Sequence, residues 1–102
     1  MGRTFFTLSI VALLGIAGPI HAAGDANAGK AKAAPCAGCH GANGEGKGSN
    51  PPLAGKPEGA LAQAMQDYKS GKRDNAMMKG FVAKLSDQDI GNLAAYYASL
   101  KK

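Results

Sequence analysis

Aromatic and other large apolar side chains are scarce in this chain. Tryptophan is absent from its 102 residues, and three phenylalanines with three tyrosines bring the aromatic share to only 6%. Beyond residue 22 the large apolar residues reduce to Leu53, Leu61, Met65 and Tyr68, a cluster of Met77, Met78, Phe81, Val82 and Leu85, and a stripe from Ile90 to Leu100. A segment of about 80 residues is marginal with so few, because small domains bury a low fraction of their surface. Acidic residues are also few, seven against twelve lysines and arginines, for a net charge of +5. The excess is mild. No dense basic stripe interleaved with aromatics accompanies it, which argues against a nucleic-acid groove. It fits docking to an acidic protein patch, where charge governs on-rate and salt dependence. Strand patterns are nearly missing, and with them the βαβ setting of a thioredoxin-like redox pair. There are only two cysteines, Cys36 and Cys39, and two histidines, His21 and His40. A structural zinc site takes four ligands, usually as two separated pairs, and no second pair follows. No general base, activated nucleophile or substrate pocket stands out, so no independent catalysis is expected.

The first residues read as a targeting segment. Met1-Gly2-Arg3 supplies a short positive start, Phe5 to Ala17 an apolar run, Gly18-Pro19 a break, and Ile20-His21-Ala22-Ala23 a small-residue cleavage site. The pattern predicts a secretory signal peptide over 1–22, cut after Ala22, with Ala23 as the alternative. A retained membrane anchor is the competing reading, but the apolar run is short of the roughly 20 residues a span needs. Removal leaves one domain, 23–102, with eleven basic residues against seven acidic ones.

What is present instead of bulk is a motif. Cys36-Ala37-Gly38-Cys39-His40 is a Cys-x-x-Cys-His run, the attachment signature of c-type haem. On a helical turn, residues three apart share a face, so both cysteines can bond neighbouring vinyl groups of one porphyrin. His40, next in line, can then offer a ring nitrogen to the iron as proximal ligand. A simple disulfide would leave His40 unexplained. A buried macrocycle would also supply the missing hydrophobic mass, so the haem is expected to be core as well as cofactor, and the apo-chain largely unfolded.

The rest of the chain can be arranged around that motif. Asp25 is a candidate N-cap for a first helix running to about Ala34 and ended by Pro35. Gly29 lies inside it, where glycine costs up to about 1 kcal/mol relative to alanine, a cost that close approach of another element would justify. Residues 41–57 carry five glycines and three prolines and read as a loop along the haem edge. Pro51 or Pro52 can present a carbonyl to the second nitrogen of His40, fixing its tautomer. Residues 58–70 read as a helix with Leu61, Met65 and Tyr68 on one face, Met65 as core, and Gly71 as its stop. The Met77–Met78 pair is where a second axial ligand is most plausible. A thioether favours ferrous iron, and filling both axial positions favours electron transfer over oxygen activation. Arg73 is either a partner for a haem propionate or a solvated charge. Ser86 with Asp89 three residues on forms an acidic capping box before a last helix, Leu85 can staple onto Ile90, and Tyr96 or Tyr97 can lie against Gly29.

These pieces together resemble a class I c-type cytochrome, of the short bacterial single-haem kind similar to one half of the dihaem cytochrome c4 family. The resemblance rests on Gly24-Asp25, Cys36 through Gly41, Pro51-Pro52-Leu53-Ala54-Gly55, Gly71-Lys72-Arg73, Met77-Met78, Leu85 through Ile90, and Ala95-Tyr96-Tyr97. It implies an all-α domain of three to four helices wrapped around one covalent haem, with the terminal helices crossing near Gly29. It implies the Pro51 carbonyl as acceptor from His40, and Met78 as distal ligand by its spacing of eight residues from Ser86, with Met77 a rival. It also implies export, since haem c is attached outside the bacterial cytoplasm. The expected function is a periplasmic carrier that passes single electrons to and from redox partner proteins through an exposed haem edge. A haem subunit of a larger oxidoreductase, such as a flavin-linked sulfide dehydrogenase, is the alternative. A sensor with an open iron position is a weaker one, because proteins of that kind carry the motif near the C-terminus.

Overall fold

The computed structural model describes residues 24–101, so the predicted signal segment lies outside the described residues. Five helices follow one another: α1 (Ala26–Lys32), α2 (Ala34–His40), α3 (Glu58–Ser70), α4 (Ala76–Val82) and α5 (Asp87–Ser99). Among the described residues the only β pairing is an isolated antiparallel bridge between Lys47 and Asn50. The all-α expectation holds. The count exceeds three to four because the motif and the methionine pair each carry a seven-residue helix of their own.

Local chemistry sets most of the boundaries. The Asp25 carboxylate accepts from the N–H groups of Asn27 and Ala28 at 2.9 and 3.4 Å, satisfying donors that the first turn of α1 leaves unpaired. The helix stops at Lys32, two residues earlier than expected, and Ala33 serves both as its C-cap and as the N-cap of α2. Pro35 therefore opens the second helix instead of ending the first. Its missing N–H and preset φ suit a first turn, where that donor would go unused. Gly71 closes α3 in the left-handed conformation, φ 85°, as expected for a glycine stop. The capping box of α5 is complete, with Asp89 N–H donating to Ser86 Oγ at 3.0 Å and Ser86 N–H to Asp89 Oδ2 at 3.1 Å.

Packing brings the two ends of the described chain together and sets α3 against the last helix. α1 lies against α5, and α3 packs on both α5 and α4. At the crossing of α1 and α5 a Cβ on Gly29 would sit 2.0 Å from the Asn92 carbonyl oxygen and 2.8 Å from Tyr96 Cβ, so only a bare backbone fits. Asn92 is itself buried, and its Oδ1 accepts from the Asp25 N–H at 2.8 Å, tying the start of α1 to the middle of α5. The core comprises Ala33, Leu61, Ala62, Ile90, Leu93, Ala94 and Tyr97. Three of those seven are alanines. The thin apolar interior anticipated from composition is what the packing displays.

Candidate cofactor site

His40 ends α2 and is buried, 6% exposed. Its Nδ1 lies 2.8 Å from the carbonyl oxygen of Pro51. A carbonyl can only accept, so Nδ1 carries the proton and Nε2 keeps its lone pair free for a metal. Pro51 is the acceptor, and Pro52 is not. The loop holds that carbonyl in place through Gly46 N–H to His40 O at 2.7 Å, Leu53 N–H to Gly44 O at 2.7 Å and Ala54 N–H to Gly44 O at 3.0 Å. Gly44 has φ 66°, and a Cβ there would meet the Tyr97 ring at 2.7 Å. The loop is thus pressed against α5 at a point where only glycine fits.

Cys36 and Cys39 are half-buried thiols, unbridged, on the wall of the same cavity as His40. Burial pushes the Cys36 thiol above its ordinary range, only partly offset by the Tyr97 hydroxyl directed at it. Burial likewise pushes the Tyr97 phenol upward, so it stays neutral. The two candidate tyrosines therefore divide their work: Tyr96 meets Gly29, while Tyr97 faces Gly44 and Cys36.

The cavity has a volume of about 510 Å³, within the ordinary range of cofactor and ligand sites. Its apolar walls include Leu53, Leu61, Met65, Tyr68, Phe81, Val82 and Leu93. Met77 and Met78 both line it, but Met77 is 66% exposed whereas Met78 is half-buried. Met65 lines it too and packs on the core cluster, the role expected of it. Arg73 lies over the Tyr68 ring, 5.3 Å from its centroid, and reaches the cavity wall. Two thiols, one imidazole nitrogen with its tautomer set, and thioethers within one apolar cleft fit a covalently held haem. Among the described residues no three of His, Cys, Asp and Glu converge as a bare metal ion would require.

Two residues at or near this site were not singled out in the sequence. Asn92 is a buried tie beneath the helix crossing. Asn75 lines the cavity, and its side chain accepts from the Met78 N–H at 3.0 Å. Asn75 was legible in principle, since asparagine before an apolar run is a common N-cap. Asn92 was not, because its partner is 67 positions away.

Comparison with known proteins gives the family and the fold. The sequence model of the family described as Cytochrome c matches residues 26–101. Cytochrome c4 of Pseudomonas aeruginosa is 50% identical over 95 residues, covering 92% of this chain and 47% of that protein. Cytochrome c-554(548) of Halomonas halodenitrificans is 40% identical over 81 residues, covering 76% of this chain and 98% of that protein. The crystal structure of reduced cytochrome c4 from Pseudomonas stutzeri superposes with a TM-score of 0.74 at 40% identity, over 78% of this chain and 47% of that one. The chain thus spans about half the length of the cytochrome c4 proteins it matches.

Proposed function

This chain belongs to the cytochrome c family, electron-transfer proteins with covalently bound haem c, and we propose that it is a single-haem periplasmic carrier with a six-coordinate His/Met site. The bound haem supplies an iron that alternates between ferric and ferrous states. The chain's own residues hold it. Cys36 and Cys39 anchor the ring by thioether bonds, and His40 presents Nε2 from the proximal side while Pro51 fixes its tautomer and orientation. Met78 supplies the distal sulfur. What favours it over Met77 is its half-buried position on the cavity wall. The apolar cleft excludes water, so that an electron enters and leaves with little rearrangement of surroundings.

The observation that carries this reading is the His40–Pro51 hydrogen bond in a cleft shared with two thiols and a methionine pair. Absorption spectra of both oxidation states test it. Met78→Ala is expected to abolish the weak long-wavelength sulfur–iron band, and Met77→Ala to leave it intact; the reverse pattern would overturn the ligand assignment.

Export is supported by the pattern of residues 1–22, and a mature protein whose mass starts at Ala23 or Gly24 is the expected product. The partners are redox proteins that dock near the haem edge. Lys69, Lys72, Arg73, Lys79 and Lys84 stand against only Asp74 in residues 69–84. The remaining described residues carry five basic and six acidic groups, so the positive surplus lies in the segment that contains the methionine pair. An acidic partner would be steered there.

A further inference from the structure

Asn75 sits at the entrance to α4 in an extended conformation, φ −160° and ψ 111°. Its side-chain oxygen accepts from the Met78 N–H at 3.0 Å, and its backbone carbonyl accepts from the Lys79 N–H at 2.9 Å. A helix leaves its first N–H groups without partners. The one satisfied here by a side chain belongs to the residue assigned as distal ligand.

The host helix is short and depends on few protein contacts. α4 is seven residues long, buries Val82 and packs on α3, with Met77, Met78 and Phe81 turned to the cavity, and helices of that length are marginal without capping or packing. α5 offers a contrast within the same molecule. It carries its own cap, Ser86, but buries six residues along thirteen. A cap lost from α5 weakens a helix already anchored by its core face. A cap lost from α4 frees the backbone of Met78 itself.

We propose that Asn75 is a positioning residue for the distal ligand: by capping α4 through the amide of Met78, it determines which methionine presents its sulfur to the iron and how rarely that sulfur leaves. The proposal rests on Met78 being the ligand. Asn75 touches neither iron nor partner in this role; it acts through Met78.

Cyanide binding to the ferric holoprotein tests it. An added ligand binds only the fraction of molecules whose sulfur is off the iron, so its apparent affinity rises in proportion to that fraction. Replacing an asparagine cap by alanine weakens the capped state by a factor of about five. Asn75→Ala is therefore expected to bind cyanide about fivefold more tightly. Asn75→Ser keeps an accepting oxygen and should return to within about twofold of the parent, with Asn75→Gly in between. Ser86→Ala, the matched cap on α5, should lower the melting temperature without changing cyanide affinity.

Equal changes in affinity for Asn75→Ala and Ser86→Ala, or none in either, overturn the proposal. If Asn75→Ala fails to retain haem, the Ser and Gly variants decide by their order. Met78→Ala separates the two levels of inference. Unchanged affinity and spectrum in that variant would refute the ligand assignment. A large change there, with none in the Asn75 series, would refute the cap alone.

Discussion

Three methionines share the cavity wall, and burial assigns them different work. Met65, half-buried in α3, packs against the core cluster; Met77 stands 66% exposed; Met78, half-buried, lies at the start of α4. Sulfur chemistry alone would not separate them; position does. A second residue whose surroundings set its chemistry is Asp89. Its carboxyl is held below the usual aspartate range of about 3.8, above all by the Ser86 N–H, with the Ser86 hydroxyl and the ammonium groups of Lys32 and Lys69 adding to it. A carboxyl with a lowered folded-state value stabilises the fold at pH above its unfolded value, and that contribution fades as pH falls through the folded value. The stability gap between the parent and Asp89→Asn should thus be constant above about pH 5 and close as pH falls below 3.8. Denaturant unfolding of the ferric holoprotein across that range measures it, and a gap independent of pH would show that the carboxylate charge contributes nothing.

At the level of elements, the crossing of α1 and α5 decides the architecture. Alanine is a better helix former than glycine by about 1 kcal/mol, so Gly29→Ala would stabilise an isolated helix. Here the added methyl would lie 2.0 Å from a main-chain oxygen that has no rotamer to change, and overpacking of that kind costs about 1–3 kcal/mol or more. The clash wins. Gly29→Ala is expected to lower stability, while Gly59→Ala, whose added methyl meets nothing within 4 Å in α3, should be neutral or raise it by up to about 1 kcal/mol. Melting temperatures of the two holoproteins, compared side by side, check the signs. The same crossing explains why Asn92 is buried. Its side chain bonds the Asp25 N–H, just before α1, where apolar contact alone would leave that donor without a partner.

For the whole molecule the decisive quantity is the size of the apolar interior. Ile90, Leu93 and Val82 are the largest fully buried side chains among the described residues. Each contributes about 1.5–3 kcal/mol on burial, too little by itself to offset the ordering of this domain. A haem held by Cys36, Cys39 and His40 would occupy the cleft of about 510 Å³ lined by α2, the loop, α3 and α4 and would add its apolar mass to the core. Chain prepared without haem, with both thiols reduced, should show no cooperative thermal transition by circular dichroism, whereas the holoprotein should melt in one step. A sharp transition in the haem-free chain would show that the helices pack unaided.

What the sequence determined by itself was governed by neighbours within a few positions: the five-residue attachment motif, the caps at Asp25 and Ser86, the glycine stop of α3, and the loop character of 41–57. Those interactions close over three or four residues, so spacing and residue type suffice to predict them. The tertiary structure decided the rest. It chose Pro51 over Pro52 as the acceptor for His40, sent Tyr96 to Gly29 and Tyr97 to Gly44, and buried Asn92 against a residue 67 positions away. It also set Met77 and Met78, identical in chemistry and adjacent in the chain, in unequal environments. Such choices depend on which distant surface each side chain meets, and no local pattern encodes that meeting.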